Sequence, residues 1–335
     1  MRAFTIKEYA HPSKIQLSTN ETEPVAAEGQ VLVDVYSAGL NYFDILQAQG
    51  KYQNQPPFPF VLGAELAGRI SQDSPIPVGC PYKRGDRVFG AGQGSYADKV
   101  ACSWQQLLPV PKNLSFRQAS GLFVTWPTSY EALTGRAQLK AGEWCLVHAG
   151  AGGVGLCAIQ IAKALGAKVI ATASTPEKLE ICTKYGKADH AINYSQGGWQ
   201  QQVLKITGGK GVDVIYDPVG LIKDSLKCIA WKGRALVVGF AGGQIEKLPL
   251  NLVLLKNISI VGIHWGAYAK FDKGRQKEVW SDLFALLESS RLQPVVYNER
   301  FTLEQISEAL GALEKRKTWG KAVLTVREED AQARL

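Results

Sequence analysis

Trp144-Cys-Leu-Val-His-Ala-Gly-Ala-Gly-Gly-Val-Gly155 decides the reading of this chain. Residues 144–148 are apolar enough for a buried strand, and Gly150, Gly152 and Gly155 follow at G-x-G-x-x-G spacing. The segment from Leu156 to Ala167 continues a face of Val154, Ala158, Ile161 and Leu165 at helical period, and Lys168–Ser174 reads as a second strand. Strand, glycine turn, helix and strand in this order cradle the pyrophosphate of a dinucleotide. One glycine turns the chain, one lets the backbone approach phosphate, and one packs the helix against the strand. The helix start then offers the N–H groups of Gly152, Gly153 and Val154 to the anion. A glycine turn in some other α/β protein is the competing reading, and the order of elements weighs against it.

Working outward, the second half repeats the pattern. Strands are expected at Trp144–His148, Lys168–Ala173, His190–Asn193, Val212–Tyr216, Ala235–Gly239 and Ile258–Ile263, with helical segments between the earlier ones. Six such strands make a doubly wound, Rossmann-type parallel sheet. Before it the chain is β-rich and divided by turns: Val31, Val33 and Val35 share a face, and Gly85-Asp-Arg-Val-Phe-Gly90 turns into a strand. After residue 270 two amphipathic helices, near Val279–Leu287 and Leu303–Leu313, precede a last strand at Ala322–Val326. That final part is expected to fold back onto the first half, giving a discontinuous domain of 1–126 and 270–335 around a dinucleotide domain of 127–269.

Composition bounds the class. The 335 residues suggest about two domains of ~100–200 residues each, and 46% hydrophobic with 20% charged residues is ordinary for a globular protein. Trp144–Ala162 carries no charged residue over 19 positions, but four glycines in its middle argue for a buried strand and helix rather than a membrane span. Met1-Arg-Ala-Phe-Thr-Ile-Lys-Glu8 has no apolar signal core, so the expected location is cytoplasmic. The closing Ala333-Arg334-Leu335 is similar to a peroxisomal address, which matters only in a eukaryote. Cys80, Cys102, Cys145, Cys157, Cys182 and Cys228 form no C-x-x-C pair and read as reduced thiols. Of the net charge of +8, residues 127–269 hold +6 (15 Lys and Arg against 9 Asp and Glu). An anionic cofactor explains this excess. Without a basic cluster or a recognisable module, nucleic acid is not the expected partner.

The end of the second strand chooses the cofactor. An NAD site of this kind places an acidic side chain there for the ribose hydroxyls; this chain has Ser174. Thr175 is the expected N-cap of the next helix, Pro176 its first residue, and Lys178 falls in its first turn. A hydroxyl, a lysine and an open helix terminus suit a 2′-phosphate, so NADPH is expected, with Tyr194 adding a hydroxyl from the side. Glu177 lies beyond the strand end.

Three segments then converge: Ala38-Gly-Leu-Asn-Tyr-Phe-Asp44 with Gly50-Lys-Tyr52, Gly63-Ala-Glu65, and His148–Gly155. With Gly85-Asp-Arg-Val88, Gly94-Ser-Tyr-Ala97, Asp217-Pro-Val-Gly220 and Gly320-Lys-Ala-Val-Leu324, the chain resembles the medium-chain dehydrogenase/reductases, in their zinc-free quinone oxidoreductase branch, nearly end to end. The resemblance implies a GroES-like catalytic domain beside the Rossmann domain. Zinc enzymes of the superfamily have a cysteine where Asn41 stands and a G-H-E motif where Gly63-Ala64-Glu65 stands; both changes remove ligands, so no metal is expected. The implied activity is hydride transfer from NADPH to a quinone or an α,β-unsaturated carbonyl, in which charge moves to the carbonyl oxygen and hydrogen-bond donors suffice. Asn41 is then expected to orient the nicotinamide ribose or the acceptor, and Tyr52 to donate to the carbonyl. Thr128, Gly239, Phe240, Ile263 and His264 are expected around the nicotinamide. Tyr42, Phe60, Trp126 and Trp265 are offered as an aromatic substrate pocket, with packing as the alternative. Trp126-Pro127 departs from the Thr-Ala usual in the family, so a particular acceptor is not named. The resemblance also implies a homodimer, joined through the edge strand at 258–263. An NADPH-binding protein with an RNA-binding or structural role is the non-enzyme alternative.

Overall fold

The computed structural model describes residues 1–329, so the tripeptide 333–335 lies outside the described residues. The chain divides into two compact units, Met1–Phe123 with Val296 onward, and Val124–Val295. The boundaries therefore lie at 123/124 and 295/296 rather than at the expected 126/127 and 269/270. Residues 270–295 go with the second unit because their helix, Lys273–Glu288, packs on Thr125–Glu131. There Tyr130 donates to Asp282 at 3.0 Å and Arg275 pairs with Glu131 at 2.8 Å.

In the first unit, strand β1 (Gln30–Gly39) runs into helix α1 (Tyr42–Ala48), followed by β2 (Glu65–Ile70), β3 (Arg87–Ala91), β4 (Lys99–Ser103) and β5 (Leu107–Pro109). Among the described residues the sheet has seven strands, in the order Phe301–Thr302, Val323–Thr325, β1, β2, β3, β5, with β4 also on β1. Val31, Val33 and Val35 of β1 are fully buried, as their alternation requires. The returning strand pairs antiparallel with the end of β1, Val323 opposite Gly39 and Leu324 opposite Ala38, and the Leu40 N–H donates to the Ala322 carbonyl at 2.9 Å. This register sets Lys321 beside Asn41.

The second unit is a six-stranded parallel sheet with helices between its strands. Its elements are β6 (Trp144–Val147), α2 (Gly153–Ala164), β7 (Lys168–Ala173), α3 (Pro176–Lys184), β8 (His190–Asn193), β9 (Val212–Asp217), β10 (Ile229–Val237) and β11 (Ser259–Gly262). The order β8-β7-β6-β9-β10-β11 reverses direction at β6, where such sheets open a crevice beyond the strand ends. β10 starts earlier than expected and stops at Val237, which leaves Gly239 and Phe240 in the loop beyond it. No helix among the described residues is long and apolar enough to cross a membrane.

Candidate active site

The glycine loop has the form the spacing requires. Gly152 is the N-cap of α2 and supplies no side-chain cap, and no acidic residue stands in the first turn. The first-turn N–H groups, Gly153 and Val154 included, thus keep their affinity for an anion. A Cβ on Gly155 would sit 2.3 Å from the Ala149 carbonyl oxygen, so this glycine serves packing. One on Gly152 would meet only that same oxygen, at 3.3 Å, and otherwise open space, which is the room a phosphate needs. These residues fit a bound dinucleotide pyrophosphate. Beneath the loop His148 is fully buried between Thr172 and Ser225, each 2.8 Å away. Burial lowers its pKa to about 4, so the imidazole is neutral and structural.

At the end of β7, Thr175 caps α3 and accepts the Lys178 N–H at 3.3 Å, with Pro176 at the first helical position. Ser174 follows Ala173 directly, and the Tyr194 N–H donates to the Ala173 carbonyl at 3.1 Å. Ser174 and Tyr194 therefore emerge from adjacent strand ends. Thr128 Oγ1 donates back into its own helix, to the Val124 carbonyl at 2.6 Å. Phe240 is partly exposed, and Ile263 and His264 leave the end of β11. Of the proposed aromatic pocket, Phe60 belongs to the core of the first unit and Trp126 is buried, the packing alternative in both cases. Tyr42 is 36% exposed, and Trp265 stacks on Tyr268 at 4.9 Å.

In the first unit a buried polar cluster forms around Asn41. Its Nδ2 donates to the Glu65 carboxylate at 3.2 Å and to the Gly39 carbonyl at 3.4 Å. Its Oδ1 accepts from the Lys321 ammonium at 2.7 Å, and the same ammonium pairs with Glu65 at 2.7 Å. Asp44, also fully buried, accepts the Asn41 backbone N–H at 2.8 Å and the Tyr96 hydroxyl at 2.5 Å through Oδ2. Its Oδ1 has no partner. Burial, outweighing the hydrogen bonds from Tyr96 and Asn41, pushes the Asp44 carboxyl up to about 7. Burial and the Asp44 charge also raise the Tyr52 phenol, whose ring stacks on Phe43 at 5.2 Å. Tyr52 therefore stays a neutral O–H donor at ordinary pH. Sequence reasoning found Asn41 and Glu65 but attached no role to Lys321, Asp44 or Tyr96. Lys321 was visible only as a cation inside the Gly320-Lys-Ala-Val-Leu324 strand signal.

This arrangement does not fit a zinc ion. Asn41 and Ala64 offer no strong ligand, and the Glu65 carboxylate is already satisfied by an ammonium. Among the described residues no group of three His, Cys, Asp or Glu could hold a metal.

The family described as alcohol dehydrogenase GroES-like domain matches residues 27–112, and that described as zinc-binding dehydrogenase matches 153–288. A quinone oxidoreductase-like protein 2 homolog of Nematostella vectensis is 38% identical over 89% of this chain and 82% of its own length. This chain is a medium-chain dehydrogenase/reductase of the quinone oxidoreductase family. The human quinone oxidoreductase is 32% identical over 92% of both chains. The Escherichia coli quinone oxidoreductase, solved with NADPH, superimposes with a TM-score of 0.88 at 30% identity, covering 97% of this chain and 100% of that one. The GroES-like and Rossmann expectations and the oxidoreductase assignment thus hold for this family member.

Proposed function

We propose that this oxidoreductase uses NADPH to reduce a quinone or an α,β-unsaturated carbonyl, without a metal. The observation that carries the reading is the end of β7: Ser174 stands where an NAD enzyme needs a carboxylate, directly before the Thr175 cap and Lys178. Gly153 and Val154 hold the pyrophosphate through backbone N–H groups, Gly152, whose own N–H donates to the Ala149 carbonyl at 2.9 Å, leaves it room, and Ser174, Lys178 and Tyr194 take the 2′-phosphate. Thr128, Gly239, Phe240, Ile263 and His264 border the nicotinamide. Bound NADPH supplies the hydride. Tyr52, neutral at working pH, donates a hydrogen bond to the acceptor's carbonyl oxygen, where negative charge develops. Asn41 contributes the free lone pair of its Oδ1, since both of its amide protons already have acceptors. The working form is a homodimer.

NADPH oxidation measured side by side with a quinone and an aliphatic enone tests the reading. Faster turnover of the quinone is expected; a preference for the enone would move the protein to the alkenal and enone reductases. Oxidation with neither would remove the enzymatic assignment.

A further inference from the structure

The Asn41 carboxamide lies in a setting that accepts it in one orientation. Glu65 and the Gly39 carbonyl present acceptors on one side, and Lys321 presents a donor on the other. Turning the amide by half a revolution would set its NH2 against the ammonium and its oxygen against the carboxylate, losing all three hydrogen bonds. The slot for the lysine is also shaped for it. A Cβ on Gly121 would meet Lys321 Cγ at 2.5 Å, and one on Gly39 would come within 2.6 Å of Glu65 Oε2 and 3.0 Å of Lys321 Cε. Two glycines thus leave space for one extended lysine whose side chain is 9% exposed.

We propose that Lys321 is a positioning residue of the hydride-transfer site: its ammonium locks the Asn41 carboxamide in place as a hydrogen-bond acceptor. The group that Asn41 recognises is then a hydroxyl, on the cofactor's sugar or on the acceptor, and not a bare carbonyl. Glu65 is the counter-charge that holds the ammonium, and it meets the acceptor through neither oxygen. The proposal rests on the NADPH-dependent reading above.

Lys321→Met leaves Glu65 buried without its cation and can fail to fold, so the decisive variant is the double substitution Glu65→Gln with Lys321→Met. It removes both charges of the pair while keeping their volumes. A second variant, Gly121→Ala, displaces the lysine stem without changing any charge. Both are expected to fold, with kcat for the acceptor at least tenfold lower; NADPH affinity by fluorescence titration falls where the hydroxyl is the cofactor's and stays within twofold of wild type where it is the acceptor's. In both, the Asn41 side-chain amide protons, followed by NMR, are expected to exchange with water faster than in wild type. Wild-type kcat and wild-type exchange in either folded variant would overturn the proposal and leave Lys321 a purely structural counter-ion. A wild-type protein that oxidises NADPH with no acceptor would instead sink the functional reading; amide exchange would still report whether Lys321 holds Asn41.

Discussion

The ammonium of Lys321 and the carboxylate of Glu65 meet at 2.7 Å, 9% and 0% exposed, within the first unit. A pair this deep is costly to form and more costly to break. Lys321→Met alone is therefore expected to destabilise the protein by about 3–5 kcal/mol, because it strands a buried charge. The double substitution with Glu65→Gln is expected to recover most of that loss. Urea unfolding of the two variants checks this. A single variant as stable as the double would mean that Glu65 reaches water or another cation once the lysine is gone.

Asp44 makes stability depend on pH with a definite sign. Its carboxyl titrates near 7 when folded, against 3.8 as the reference for the unfolded chain. Below the lower value both states hold the proton. As pH rises from about 4 to 7 the unfolded state releases it first, so stability falls across that window and levels off above it. The full difference is on the order of 4 kcal/mol at about 1.4 kcal/mol per unit. Asp44→Asn still accepts from Tyr96 and the Asn41 N–H, and it is expected to be more stable than wild type at pH 8 and not at pH 4. Melting curves of both proteins across that range decide the matter. His148 works in the opposite direction: its depressed pKa, about 4, makes stability fall as pH drops from about 6.5 to 4. The wild-type profile is therefore flatter than either group alone would make it.

Much of the fold was legible because it rests on local pattern. Val31, Val33 and Val35 alternate, the glycine spacing 150–152–155 implies its loop, and Thr175-Pro176 announces the start of α3. The site was half legible. Asn41 stands out beside a motif, whereas Lys321 lies 280 residues away and meets it only through the pairing of Val323 with Gly39. No local signal carries such a contact. The domain boundary at 295/296 was hidden for the same reason: Tyr130–Asp282 and Glu131–Arg275 are long-range pairs.

The glycine loop separates packing from binding. Gly155→Ala brings a Cβ to 2.3 Å from the Ala149 oxygen, an overpacking expected to cost about 1–3 kcal/mol and to lower the melting temperature. Gly152 has φ −78°, which alanine adopts freely, and nothing closer than 3.3 Å to resist a methyl group. Gly152→Ala is expected to melt like wild type yet bind NADPH at least tenfold more weakly, because its methyl occupies phosphate space. Calorimetric melting beside fluorescence titration separates the two effects. Undiminished NADPH affinity in Gly152→Ala would place the pyrophosphate elsewhere.

Cofactor choice is tested at the end of β7. Lys178→Ala is expected to weaken NADPH far more than NADH, and Ser174→Asp to reverse the preference by setting a carboxylate against the 2′-phosphate and beside the ribose hydroxyls. Values of kcat/KM for the two cofactors with one common acceptor give the ratio directly. Equal losses for both in Lys178→Ala would show that this lysine does not read the phosphate.

The outer edge of β11 pairs with no strand among the described residues. It lies next in sequence to the helix Leu250–Lys256, on which Leu250, Leu254 and Leu255 are 69–79% exposed. An open edge with adjacent apolar side chains invites a second sheet, and a second copy offers an identical edge, which extends the sheet across a two-fold axis. Light scattering is expected to give about twice the chain mass of 36.5 kDa. Leu250→Glu combined with Leu254→Glu charges the apolar face, and the variant is expected to run as a monomer with its melting temperature nearly unchanged. A wild-type monomer at micromolar concentration would refute the dimer, and a dimer that survives both substitutions would move the interface away from this edge.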